Sequence, residues 1–312
     1  MLHTLNPDRR TLHGVLADDI EPVLTIASGD LVRLSTLEPD WRVRDTGALA
    51  TSEGDFFPRI PGYDDGHALI GPIAVKEAKA GQTLAVTIRS LTPESWGWSR
   101  VGGGGDSDHA ERAQIEGDEY FLRWKIDSGR GMCTSSHGHH AIVRPFLGVM
   151  AVAPRGKVRT HIPGPHGGNL DCKELVPSST IYLPVFADGA LFSTGDGHAA
   201  QGNGESGGTA VECPMKEAIL EFRVLDIPSK APVAKTPKGW LTFGFHADLT
   251  TAAYEALQAM AELISRMEGV SHKEALAIFS VSGDLCITQI VNGVRGVHAL
   301  LPYSALGPVQ YK

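Results

Sequence analysis

Two short polar runs hold most of the residues in this chain that could do chemistry. They are His166-Gly-Gly-Asn-Leu-Asp171 and Gly195-Asp-Gly-His-Ala-Ala-Gln-Gly-Asn-Gly-Glu205. Asp, His and Glu can hold a metal ion or move protons. The interspersed glycines let the backbone approach a ligand closely and adopt positive φ. Asp171 and His198 are the first candidate metal ligands. His166 is a third candidate, either as a ligand or as a hydrogen-bonding partner of Asp171. Glu205 is the candidate general base, or a further ligand. Asn169 and Gln201 either donate to a developing oxyanion or hold their own turns. Asp196 orients a ligand histidine or caps a strand end. This set predicts a hydrolytic metal site with a divalent ion, zinc first and calcium as the alternative.

For these residues to act together, the surrounding elements must bring the two runs into one cavity. The sequence between them reads as a β-hairpin: residues 180–186 and 190–194 flank Asp188-Gly189, a strong turn signal. Both runs read as turns at corresponding ends of these strands. Upstream, residues 22–26, 31–37, 73–75 and 84–88 read as short strands separated by Ser28-Gly-Asp30 and Gly81-Gln82. Residues 144–154 form a continuous apolar run, expected as a buried strand, and residues 218–225 alternate as another. Residues 99–120, with Gly102-Gly-Gly-Gly105, read as a long exposed loop. They lack the Lys-Ser/Thr that a phosphate loop requires. Trp96 and Trp98 precede that loop as core or rim aromatics.

The last quarter changes period. Leu257, Met260, Ala261, Ile264 and Met267 follow helical spacing within residues 251–267, and Gly269 ends the helix. Ser271-His-Lys-Glu274 is a capping box that opens a second helix. Two strands follow, joined at Asn292-Gly293. The expected fold is mainly β (α+β overall), a β-sandwich or jelly-roll-like antiparallel core with a smaller C-terminal α+β portion. Residues 1–228 form the β-rich catalytic region and 229–312 the C-terminal portion, packed with it as one unit. Residues 229–238 read as a surface connection between the two.

Composition narrows the partners. Among 312 residues, 28 Lys and Arg face 36 Asp and Glu, a net charge of −8. That argues against nucleic acid or an anionic membrane as partner. The sequence shows neither a secretory signal nor a run long and apolar enough to span a bilayer. The four cysteines form no CxxC pair, which fits a reducing compartment and a cytoplasmic protein. Cys172 beside Asp171 reads as a buried inert thiol, and His298 as a core residue. His137, His139 and His140 cluster on what reads as a surface loop.

With these segments placed, the chain resembles the acetamidase/formamidase family over almost its whole length. The carriers are Ile20-Glu-Pro-Val-Leu-Thr-Ile26, Gly71-Pro-Ile-Ala-Val75, Trp96-Gly-Trp98, Arg144-Pro-Phe-Leu-Gly-Val-Met150 and the two polar runs. Tyr182-Leu-Pro-Val185 and Val291-Asn-Gly-Val-Arg-Gly-Val-His298 complete the set. The order and spacing of the whole set make the signal specific. The resemblance implies hydrolysis of small linear amides to carboxylate and ammonia, a β-sandwich with an added α/β part, a homo-oligomer (dimer or higher) and a divalent metal in some members. The chain departs from the pattern at residues 99–141 and at Asn203, where many relatives carry Asp. Those departures leave two rivals: a cyclic-amide (γ-lactam) hydrolase on the same scaffold, and a non-catalytic metal- or sugar-binding β-sandwich.

Overall fold

A computed structural model describes residues 1–45, 53–102 and 107–307. Two large sheets, of nine and eleven strands, dominate it, together with a small two-stranded sheet. Their inner faces meet in one apolar cluster. Val86, Ile88 and Leu220 come from the nine-stranded sheet, and Ile70, Leu147 and Met150 from the other. Phe192 and Phe222 cross edge-to-face between the sheets with ring centres 5.2 Å apart. Such side chains are driven together by removal of apolar surface from water. The result is the expected antiparallel β-rich core with a helical addition at the C-terminal end.

The two polar runs correct the turn reading. Half of the first run and six of the eleven residues of the second are strand. Gly167–Asn169 and Phe192–Ala200 lie on either side of Phe146–Ala151, and both pair with it in antiparallel register. Asn169 stands opposite Val149, and His198 opposite Phe146. Glycine within a strand marks close approach of another backbone. A Cβ on Gly195 would lie 2.5 Å from the Ala68 carbonyl, and one on Gly197 2.5 Å from that of Cys213. These glycines serve packing within the sheet rather than bends.

The hairpin at Asp188-Gly189 is also corrected. Thr180–Pro184 belongs to the nine-stranded sheet and Phe192–Ala200 to the eleven-stranded one. Three successive residues at positive φ, Gly189, Ala190 and Leu191, swing the chain from one sheet to the other. A two-residue hairpin turn would have returned it to its neighbour. The surface connection at 229–238 is likewise more structured than its composition suggested. Within it, Val233–Lys235 pairs with Thr180–Pro184 on one side and Gly239–His246 on the other. The nine-stranded sheet therefore runs unbroken from the β-rich region into the C-terminal strands.

The C-terminal helices match their expected positions closely. Leu249–Glu268 starts at Asp248, which accepts from Thr251 N, and ends at Gly269 with φ 69°. His272–Ser282 opens at Ser271, whose hydroxyl accepts from Glu274 N. Ala252, Ala256, Met260 and Ile264 of the first helix pack on Val297, Ala299 and Leu301 of the sheet. The contact is tight at Gly244, where a Cβ would lie 2.7 Å from Ala256 N. Residues 99–120 differ from the expected open loop. Trp96–Val101 is strand and Ser107–Arg112 a short helix, while residues 103–106 of the glycine run lie outside the described residues.

Candidate active site

Asp171, Asp196 and His198 come together in the eleven-stranded sheet, each buried, with one ligand atom from each within 4.8 Å of the others. Asp171 follows the Gly167–Asn169 strand, while Asp196 and His198 lie on the neighbouring Phe192–Ala200 strand. Asp196 and His198 are two residues apart and so share one face. Between these strands runs Phe146–Ala151, and its Gly148 makes the arrangement possible. A Cβ there would stand 2.8 Å from Asp171 Oδ1 and closer still to Asp196 Oδ2. The missing side chain is the space the two carboxylates occupy.

Glu205 and Glu212 complete an acidic ring around the imidazole. His198 Nε2 lies 2.8 Å from Glu212 Oε2 and 3.3 Å from Asp196 Oδ1. Both oxygens of Asp171 and Oε2 of Glu205 are buried without a hydrogen-bond donor. Four buried carboxyl groups around one histidine carry more negative charge than a protein interior tolerates, so such a set requires protons or a cation. The titration behaviour follows. Burial raises Asp171 well above the carboxylate range, and the Glu205 and Asp196 charges add to it. Burial likewise raises Glu205 to about 8. Burial alone would lower His198, yet Glu212 and Asp196 push it well above its usual value. Burial also disfavours the Asp196 charge, but His198 and His67 overcome that and hold it at about 2.

Backbone geometry marks the same residues. Asp171, Asp196 and Glu205 all have left-handed φ, at 46°, 56° and 44°. Non-glycine residues seldom adopt this region, and it persists where surrounding structure enforces it, often at functional sites.

The centre opens into a cavity of about 420 Å³. Asn169, Asp196, His198, Glu205 and Glu212 line it, and Asn169 Oδ1 is buried without a partner. Trp98, Arg100, His109 and Asn292 also line it. Asn292 and Val291 belong to the C-terminal part of the chain, so the cavity is not made by residues 1–228 alone. Trp98 stacks on Phe121 and donates from Nε1 to Glu38 Oε2 at 2.7 Å.

Other candidates stand outside the three-residue group. His166 is buried and burial lowers it to about 4, but its ring packs against Gly164 and Gly168, and it does not line the cavity. Gln201 lines a neighbouring groove and donates from Nε2 to the Asp171 main-chain carbonyl at 3.1 Å. Asn203 is exposed on the turn before Glu205. His137 and His140 bond Tyr120 and Thr134 on an outlying hairpin. Cys172 is buried, and burial pushes its thiol up to about 12, which removes it as a nucleophile. His298 bonds Thr288 in the interior.

Sequence reading passed over Gly148, Glu212 and His67. His67 lines the cavity, with Nδ1 4.0 Å from Asp196 Oδ2. A glycine inside the apolar run at 144–154 was the available signal for Gly148. Nothing local distinguishes Glu212 or His67, because each depends on long-range strand pairing.

Buried acids and an imidazole around a polar cavity, set in a β-sandwich, supply groups that a hydrolytic enzyme can use. Comparison with known proteins places the chain among such enzymes. The chain belongs to the acetamidase/formamidase family, whose model matches residues 3–162 and 152–228. It is thus a hydrolase acting on the C–N bond of small linear amides. A Schizosaccharomyces pombe protein with a provisional formamidase name is 26% identical over 331 residues, covering 79% of this chain and 77% of that one. The structure of an acetamidase from Bacillus halodurans superposes with a TM-score of 0.83 at 26% identity, over 96% of this chain and 97% of that one. A Thermoanaerobacter tengcongensis acetamidase/formamidase structure gives 0.83 at 27%, over 97% and 96%.

Proposed function

We propose that this enzyme cleaves formamide- or acetamide-type substrates in the Asp196–His198 cavity, with Asp171, Asp196 and His198 holding a divalent ion and Glu205 moving the protons. The observation that carries this reading is the group of three donors within 4.8 Å, two of its carboxylate oxygens buried without a donor. Two carboxylates and one imidazole suit zinc, with the remaining positions open. When bound, such an ion polarises a carbonyl and lowers the pKa of water towards about 7.

The residues supply the rest. Glu205 lines the cavity beside Asp196 and His198, where a carboxylate can exchange protons with a water in the site. In its ionised form it takes the proton of the attacking water. It then delivers that proton to the departing nitrogen, so the C–N bond breaks as ammonia forms. Asn169 on the cavity wall orients the carboxamide. Gln201 acts from behind by holding the Asp171 carbonyl. His166 packs against Gly164 and Gly168 and so supports the start of the Gly167–Asn169 strand. Burial of the acids keeps bulk water from screening these charges.

The finer assignments belong to the same proposal. Four free cysteines fit a cytoplasmic enzyme. Leu285 and Ile287 are exposed on the edge strand Asp284–Gln289 of the nine-stranded sheet, Val281 is exposed on the preceding helix, and together they support a homo-oligomer. Ammonia release from formamide, acetamide and a five-membered lactam tests the substrate class. Cleavage of the linear amides is expected, and a clear preference for the lactam would overturn it.

A further inference from the structure

Gln289 is fully buried, and both ends of its side chain are used. Its Nε2 donates to the Asn169 carbonyl at 2.7 Å, and its Oε1 accepts from Asn292 Nδ2 at 2.8 Å. Asn169 and Asn292 both line the catalytic cavity, one from the β-rich region and one from the C-terminal strands. The backbone around Gln289 reaches a third element. Gly204 forms a parallel bridge with Gln289, Gly204 N donates to the Thr288 carbonyl at 3.0 Å, and Ile290 N donates to the Gly204 carbonyl at 3.0 Å. Glu205 follows directly, in its left-handed conformation.

The local sequence is shaped to admit this side chain. Asp284–Gln289 pairs with Arg295–Pro302, and their register shifts between Ile287 and Gln289. Gly296 faces Gln289, and a Cβ there would crowd Gln289 Cγ at 3.2 Å. Thr288 is fixed beside it by His298, whose Nδ1 lies 2.8 Å from Thr288 Oγ1. A buried amide bonded at both ends has one orientation, so it transmits position rather than merely filling space.

We infer that Gln289 is a positioning residue for amide hydrolysis: it fixes Asn169, Asn292 and the Glu205 turn relative to one another, making the C-terminal strands part of the substrate site. This rests on the amidase reading above. Displacement of such groups by about 1 Å costs on the order of 100-fold in rate. Gln289 itself touches neither substrate nor reacting atoms.

Gln289→Met keeps the side-chain length and removes both hydrogen bonds; Gln289→Ala removes the side chain. For Gln289→Met we expect kcat on formamide to fall about 10–100-fold with KM within about 3-fold, and a melting midpoint lowered by about 5 °C or less. Hydrogen exchange, read without substrate, should quicken about 10-fold or more over residues 202–206 in both variants and stay unchanged in the Leu249–Glu268 helix. A folded Gln289→Met protein with wild-type kcat, or with unaltered exchange at 202–206, overturns the inference. So does exchange that quickens over the whole molecule, which would mark a purely structural role. Wild-type protein inactive on every amide would remove the amidase reading instead, and the exchange data would then decide the positioning claim.

Discussion

At the scale of single residues, the site depends on one atom that is not there. Gly148 has no Cβ, and the Asp171 and Asp196 carboxylates fill the space it leaves. Gly148→Ala is therefore expected to eject one carboxylate and abolish divalent-ion binding. Zinc measured on the purified variant should drop from about one ion per chain to under a tenth. Retention of a full ion would show that these carboxylates do not hold it. Glu205 carries a different prediction because the proposed mechanism gives it the proton transfer. Glu205→Gln should lower kcat by about 10²–10⁴-fold while zinc content stays unchanged. Steady-state ammonia release alongside metal analysis separates the two, and a fully active Glu205→Gln enzyme removes Glu205 from the chemistry. The shared left-handed backbone at Asp171, Asp196 and Glu205 shows that the fold holds all three against their local preference.

At the scale of elements, strands bury histidines that must stay neutral. His13 is buried between the Val15 carbonyl and Ser193, and His298 between Thr288 and the C-terminal core. Burial lowers each to about 4 from an ordinary 6.5. Both folded values lie below the unfolded one, so the unfolded chain binds more protons between pH 6.5 and 4. Stability is full above 6.5, falls as pH drops through this window and levels off below 4. Each group contributes on the order of 3 kcal/mol. The raised Asp171 and Glu205 shift stability the opposite way, so each histidine is read from its own variant: His298→Asn should lose less of its urea midpoint between pH 7.5 and 4.5 than the wild type does, and an identical pH dependence would contradict the assignment. What the sequence made legible follows the same physics. The C-terminal helices were readable because helical apolar spacing, Gly269 and the Ser271 cap all act within a few residues of the elements they define. Asp171, His198 and Glu205 stood out because their motifs are polar within apolar surroundings. The strand character of the Gly195 to Ala200 run was hidden, since its glycines answer to Ala68 and Cys213, far away in sequence. The Asp188-Gly189 turn misled because Ala190 and Leu191 extend it in a conformation their side chains disfavour. Glu212 and His67 became visible only once pairing carried them to His198 and Asp196.

At the scale of the molecule, the continuous nine-stranded sheet ties the C-terminal strands and their helices to the β-rich region, while Val291 and Asn292 help line the cavity on the eleven-stranded sheet. The open edge of that sheet exposes Leu285 and Ile287, with Val281 beside it. An unpaired apolar edge favours association. Light scattering should give a mass above the 33.3 kDa of one chain, and Leu285→Lys with Ile287→Lys should lower it. A wild-type mass of one chain would refute the oligomer. No helix among the described residues is long and apolar enough to cross a membrane. The proposed mechanism makes four buried acids and a divalent cation work as one unit, and that is the most direct point to test. Ammonia release from formamide should be followed after exhaustive dialysis against a chelator and again after zinc is restored. The account predicts a loss of about 100-fold or more on chelation and recovery with zinc. Full activity in protein shown to be free of metal would contradict it.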